Sequence, residues 1–207
     1  MSATSSAFSV TVDTVAPTTT FTSDVKNSNG SFTLSGTALD NGVAAAGDTV
    51  KIYDGTTYLG SATVAGNGQW SFKTAALPNT THYFNSTVTD VAGNIGTGTG
   101  DAIYGSTAKD QLVSTPGNDI MTGGGGADTF VFNGSSFGKD VITDFAAQGG
   151  HHDILQFSST AFNSFASVLA HAAQVGSNTV ITLDAADTVT LNNTQLSKLS
   201  ASDFHFV

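Results

Sequence analysis

The stretch Gly123-Gly124-Gly125-Gly126-Ala127-Asp128-Thr129-Phe130-Val131 sets an Asp sixth and an apolar residue eighth behind a run of glycines. Reading back from it finds the same frame three more times. The nonapeptides starting at Gly96, Gly105 and Ser114 place Asp101, Asp110 and Asp119 sixth, and Ile103, Leu112 and Met121 eighth, as Asp128 and Phe130 stand in the last. Asp fills 16 of 207 positions, so three further Asp in register would arise by chance roughly 5 times in 10,000. A flexible Gly/Asp-rich linker has no reason to keep the apolar eighth position. The register therefore predicts a structural repeat.

A nonapeptide is long enough for one tight turn and one short strand. Successive turns then fall on opposite edges of a flattened parallel coil, and blocks i and i+2 share an edge. Strands of neighbouring coils lie about 5 Å apart, so Asp101 is expected beside Asp119, and Asp110 beside Asp128. Each pair repels by about 3 kcal/mol at an effective dielectric near 20. A divalent cation reverses that sign. Hard Ca2+ takes six to eight oxygens, which aspartates and the carbonyls of glycine turns supply. The expected ligands are Asp101, Asp110, Asp119 and Asp128 with the carbonyls of Gly117, Gly124 and Gly126, for two or three Ca2+ ions, so metal binding and folding are expected to be one event. The second and third blocks depart from the pattern: Gly105-Ser-Thr-Ala-Lys-Asp110 keeps one glycine, and Ser114-Thr-Pro-Gly-Asn-Asp119 has lost its first two.

Composition supports a folded, acidic, oxygen-ligating protein. All sixteen acids are Asp, there is no Glu, Arg or Cys, and the formal net charge is −10. Nucleic acid is therefore an improbable partner, and neither a disulfide framework nor a thiolate site exists. Six Asp precede residue 101 and ten lie from there on, so the acidic half is the repeat half. No stretch reaches the length of a membrane span, and Met1-Ser-Ala-Thr-Ser-Ser lacks the features of a signal peptide.

The nonapeptides resemble the calcium-binding repeats of RTX (haemolysin-type) proteins. Downstream, Lys139-Asp-Val-Ile-Thr-Asp-Phe145 and Gly150-His-His-Asp-Ile-Leu-Gln-Phe157 resemble the segments that close the β-roll of serralysin-type proteins. That resemblance implies that Asp140 and Asp153 ligate calcium and that Asp144 supports the corner. The end, Leu196 to Val207 with Asp203 before Phe-His-Phe-Val, resembles the uncleaved signal read by type I secretion machinery. Secretion from a Gram-negative bacterium, or display on its surface, is the implied localisation.

Residues 17 to 95 give about seven short runs of β-branched and aromatic residues between turn signals such as Asn29-Gly30, Asp54-Gly55 and Gly66-Asn-Gly68, which predicts a sandwich. Phe32, Leu34, Val50, Ile52, Trp70, Phe72, Phe84 and Val88 follow period two and are its expected core. Through Val50-Lys-Ile-Tyr-Asp54, Asn67-Gly-Gln-Trp70 and Thr89-Asp-Val-Ala-Gly-Asn94 this segment resembles bacterial Ig-like stalk modules, in which calcium often stiffens module junctions. Asp13, Asp40 and Asp90 could serve that role here, or could be solvated turn residues. Phe165, Val168, Leu169 and Ala172 predict a short helix capped near Ser164. Val180 to Leu183 and Thr188 to Leu191 predict a hairpin.

The fold expected is all-β: residues 1–16 as a linker or the last strand of a preceding module, 17–95 an Ig-like β-sandwich, 96–157 a short parallel β-roll, and 158–207 a flanking hairpin and one short helix. No active site is expected. A zinc HExxH is impossible without Glu, and Gly134-Ser-Ser-Phe-Gly138, although it matches GxSxG, lies in a loop without the strand-turn-helix elbow that motif needs. His151 and His152 read as surface residues. The function expected is calcium-triggered folding, extension and export of a large secreted protein such as an adhesin, with host-cell or biofilm surface ligands as partners. The alternatives are the accessory tail of a secreted hydrolase, or a sugar- or receptor-binding sandwich that uses Tyr53, Tyr58 or Tyr83.

Overall fold

A computed structural model describes residues 12–134 and 136–207. Most of the expected N-terminal linker or preceding strand lies outside them, and the part described, residues 12–16, has no regular secondary structure.

Eight strands build the sandwich, and the turn signals separate them. They are β1 (Thr18–Lys26), β2 (Ser31–Asp40), β3 (Val43–Ala44), β4 (Thr49–Asp54), β5 (Thr57–Thr63), β6 (Gln69–Ala76), β7 (His82–Thr89) and β8 (Ile95–Thr97). β2 joins β1, β3 and β6 in one antiparallel sheet, while β4 joins β5 and β7 in the other and β8 adds to β7. Phe32, Leu34, Val50, Ile52, Phe84 and Val88 are all fully buried, because period-two alternation turns each of them to the inner face. Trp70 is buried too, and its indole N–H donates to Thr19 Oγ1 at 2.9 Å, which satisfies the one polar atom it carries inside. His82 is buried with Nδ1 2.7 Å from Asp54 Oδ2 and Nε2 2.9 Å from the Pro78 carbonyl.

From the first nonapeptide onward, successive strands alternate between two sheets. β9 (Ala102–Tyr104), β11 (Ile120–Thr122) and β13 (Lys139–Ile142) run parallel in one; β10 (Gln111–Val113), β12 (Thr129–Phe132) and β14 (Ile154–Phe157) run parallel in the other. The register is the 18-residue one expected: Ile103 stands opposite Met121, and Leu112 opposite Phe130. The eighth-position residues point inward, so Ile103, Leu112, Met121 and Phe130 are each fully buried within one cluster. Each contributes roughly 1.5–3 kcal/mol by leaving water. Gly117 and Gly126 make the stacking sterically feasible. Their φ values are +121° and +131°, and an added Cβ would meet the Thr99 and Ala108 carbonyls of the preceding coil.

Both sheets continue past residue 157. The predicted helix is α1 (Phe165–Ala170), shorter than its pattern, because Ala172 begins β15 (Ala172–Val175), which pairs antiparallel with β16 (Asn178–Thr182). Cross-strand bonds took those residues from the helix. The predicted hairpin forms between β16 and β17 (Thr188–Leu191), and β17 then lies parallel to β13, with Leu191 capping the Ile103, Met121 and Ile142 column. The tail gives β18 (Phe204–Phe206), parallel to β14, with Phe204 buried. The flank is thus the last coil.

Sandwich and roll share a sheet. β9 pairs antiparallel with β7, Phe84 opposite Ala102 and His82 opposite Tyr104, while its other edge pairs with β11. One ten-stranded sheet therefore runs from β5 to β15. Ala102 and Ile120 of the roll belong to the sandwich core.

Candidate functional site

The parallel register lines the Asp of alternate blocks along the two rims of the roll. Asp101, Asp119 and Asp140 occupy one rim, immediately before β9, β11 and the Val141 position of β13; Asp110, Asp128 and Asp153 occupy the other. Along each rim the backbone N–H of one Asp donates to Oδ1 of the Asp in the next coil. The distances are 2.7 Å from Asp101 to Asp119, 2.8 Å from Asp119 to Asp140, 2.9 Å from Asp110 to Asp128 and 2.9 Å from Asp128 to Asp153. Two carboxylate ladders of three result. The expected pairs meet, and the two Asp taken from the closing segments extend them.

Several second oxygens are held as well, three from the same turn and that of Asp140 from an earlier coil. Thr115 N–H donates to Asp119 Oδ2 at 2.7 Å, the Ser114 hydroxyl to Asp140 Oδ2 at 2.8 Å, Ala146 N–H to Asp153 Oδ2 at 2.9 Å, and Ser106 N–H to Asp110 Oδ2 at 2.7 Å. Asp144 closes the corner by accepting from the N–H groups of Gly123 and Gly124, both at 2.8 Å. Each carboxylate offers about four lone-pair positions, so the ladders leave acceptor capacity spare. The carbonyls of Gly117, Gly124 and Gly126 accept no hydrogen bond among the described residues.

Asp119, Asp128, Asp140 and Asp153 are all at most 3% exposed. Burial therefore pushes their protonation equilibria up, with repulsion from neighbouring carboxylates adding for Asp128, Asp140 and Asp153. Asp140 rises to about 8, chiefly through burial, with Asp119 and Asp187 adding. Asp101 and Asp128 rise to about 6, again through burial first, and Asp119 and Asp153 are raised as well. Asp110 is the exception: burial pulls its carboxyl up, but the Thr81 hydroxyl and the Ser106 N–H and hydroxyl outweigh that and hold it low. Among the described residues the one side-chain salt bridge is His82 with Asp54, away from the ladders, and His152 offsets Asp153 only in part. Among the described residues neither rim brings three carboxylate oxygens within 4.8 Å of one another; dehydrated carboxylates beside hydroxyls and open carbonyls nevertheless make the donors all oxygen, the type that Ca2+ takes and softer metals do not prefer.

A second acidic group lies at the far end of the sandwich. Asp13, Asp40 and Asp90 each bring an oxygen within 4.8 Å of the others. Asp48 stands near them, 5% exposed, with Oδ2 unpartnered. Burial raises the carboxyl of Asp48, and repulsion from Asp40, Asp90 and Asp13 adds to it. Asp90 is partly dehydrated too, yet the Asn94 side chain and backbone hold it below the usual range. The three residues whose role the sequence left open are therefore neighbours.

Sequence reasoning missed the partners contributed by remote segments. Thr81 of the sandwich donates to Asp110 Oδ1 at 2.7 Å, and Asp187 accepts from Phe137 and Gly138 N–H at 2.8 and 2.7 Å at the last coil. Neither has a local signal. His152 Nδ1 lies 3.3 Å from the Gly149 carbonyl, and no histidine joins a metal-ligating group among the described residues. Ser136 Oγ approaches Asp187 Oδ1 at 3.5 Å.

No helix among the described residues is long and apolar enough to cross a membrane. Comparison with curated proteins returned no match. Residues 41–103 match the family described as Bacterial Ig-like domain, from the turn after β2 to Ile103 in the first roll strand. Under a third of the chain is matched, and the match crosses the shared sheet. Residues 41–103 are thus similar to a bacterial Ig-like domain, a kind of module that fits a surface or secreted bacterial protein.

Proposed function

We propose that this chain is a calcium-binding part of a large secreted or surface bacterial protein, one that orders on meeting calcium outside the cell and extends that protein as a stalk. The two carboxylate ladders carry this reading. Asp101, Asp119 and Asp140 on one rim, and Asp110, Asp128 and Asp153 on the other, would hold Ca2+ with carbonyls of Gly117, Gly124 and Gly126. Bound calcium would supply the positive charge that the ladders lack. The chain's own residues do the rest: Thr115, Ser114, Ala146 and Ser106 fix the carboxylate rotamers, and the buried eighth positions hold the coils in register.

Asp13, Asp40, Asp48 and Asp90 offer another all-oxygen group that calcium would suit, at the end where residues 12–16 enter the sandwich. The reading includes export through type I secretion machinery with the tail as address, and an adhesin as the parent. It rests there on the resemblance of the Leu196 to Val207 segment.

Calcium titration followed by circular dichroism and calorimetry tests the proposal. Wild type is expected to bind two or more ions, with affinity near the ~0.1 to 1 mM of extracellular calcium modules, and to gain β signal. A melting temperature that EGTA leaves unchanged would remove the calcium reading.

A further inference from the structure

Where β1 overhangs the outer face of the roll, it forms a cleft of about 420 Å³. Its wall is the edge of β1 from Thr22 to Lys26, and its floor is Ile120, Thr122, Val141, Thr143 and Asn192. β1 pairs as a strand with β2 alone and its one β-bridge to the roll is Thr19 to Gly98, so among the described residues the edge over the cleft carries no partner strand.

Asp24 stands in this cleft, 8% exposed. Both its oxygens lie 3.3 Å from the Thr122 hydroxyl, and that hydroxyl lies 2.6 Å from the Thr143 hydroxyl. A threonine hydroxyl has one proton to donate, so beyond its own backbone N–H this dehydrated carboxylate receives at most one long side-chain hydrogen bond. Among the described residues no cation pairs with it. The neighbouring Lys26 is engaged elsewhere, donating to Asn79 Oδ1 at 3.1 Å with Nζ over the rings of Phe32 and Tyr104. Burial pushes the Asp24 carboxyl up to about 8 in spite of Thr122, and the charge of Asp144 adds to that.

We propose that the cleft is a receptor for a primary ammonium group on an aliphatic stem, with Asp24 as its counter-ion. Three N–H donors match the Asp24 carboxylate and the Thr122 and Thr143 hydroxyls, and Ile120 and Val141 offer apolar floor for methylenes. A neutral sugar would leave the buried charge uncompensated. Calcium generally draws on several carboxylates, and this cleft is lined by one. A lysine side chain of another protein and a free alkyl diamine share the required chemistry. This site is separate from the rims, so it stands or falls independently of the calcium reading.

The test is a nitrogen-15 chemical-shift titration of the full chain in saturating calcium, with Nα-acetyl-lysine methylamide, cadaverine and, as the neutral control, 1-butanol. Saturable shifts are expected at Ser23, Thr122, Thr143 and Asn192 with both amines. Asp24→Asn should weaken binding by at least about tenfold while the calcium-induced circular dichroism change persists. Thr143→Val, which keeps the charge, should weaken it severalfold and serves if Asp24→Asn fails to fold. Tighter binding of the lysine amide assigns the site to a protein side chain, helped by the open β1 edge; tighter binding of cadaverine assigns it to a free diamine. Three results overturn the proposal: no saturable shift, an equal response to butanol, or a calcium stoichiometry that falls by one in Asp24→Asn.

Discussion

Asp140 makes the metal-free fold sensitive to pH in a direction opposite to that of most acidic proteins. Its carboxyl is fully buried and rises from 3.8 to about 8 in the folded chain. A carboxyl raised on folding gives stability that is complete below the unfolded value and is lost as pH climbs to the folded one. Each pH unit in that window removes about 1.4 kcal/mol, so Asp140 alone should cost the metal-free roll about 3 kcal/mol between about pH 5 and about pH 7. Asp101 and Asp128, at about 6, act in the same direction over the lower part of the window. Asp101 and Asp140 share Asp119 as a repelling neighbour, so their contributions do not simply add. Calcium requires the deprotonated form and releases protons on binding, which reverses the slope. Urea denaturation followed by circular dichroism, at about pH 5 and about pH 7 with EGTA and then with calcium, reads both slopes. Asp140→Asn should flatten the metal-free slope and weaken the response to calcium. A metal-free stability that stays level or rises over that interval would refute the reasoning.

Three further outcomes follow from particular contacts. Asp119→Ala and Asp128→Ala should each blunt the calcium-induced gain in β signal, while the tryptophan emission of Trp70, in the sandwich core, stays native in EGTA. Gly126→Val should destabilise the calcium-bound chain by about 2–4 kcal/mol in thermal denaturation, since φ is +131° and the new side chain meets the Ala108 carbonyl. Phe130→Ala, at a fully buried position between the sheets, should cost about 3–5 kcal/mol in the same assay, whereas Leu169→Ala, at 41% exposure, should lie within about 1 kcal/mol of wild type.

The rims were legible because a nine-residue period fixes which Asp share an edge. Asp101 with Asp119 and Asp110 with Asp128 needed only counting, and the buried eighth positions came with them. Trp70, Phe84, Phe32 and Leu34 were readable for the same reason, since alternation is local, whereas Phe72, expected in the core with them, is only half-buried at its border. What stayed hidden depends on distant partners. Nothing near Thr81 signals that its hydroxyl meets Asp110, and nothing near Asp24 signals the Thr122 hydroxyl it meets. The shortened helix is a contest between two local preferences, settled by the β16 edge beside Ala172–Val175. The boundary expected at residue 95 followed the first nonapeptide, which starts at Gly96. β7 ignores it by accepting β9 as its next neighbour.

That pairing has a mechanical consequence. A protease seeking a neck between the two halves meets strands in place of an exposed tether at Ala102–Tyr104, so limited digestion should release neither half intact. A load drawn along the strands would have to shear the β7–β9 bonds together with the β1 packing, and the two halves should yield as one stiff rod segment with no hinge between them.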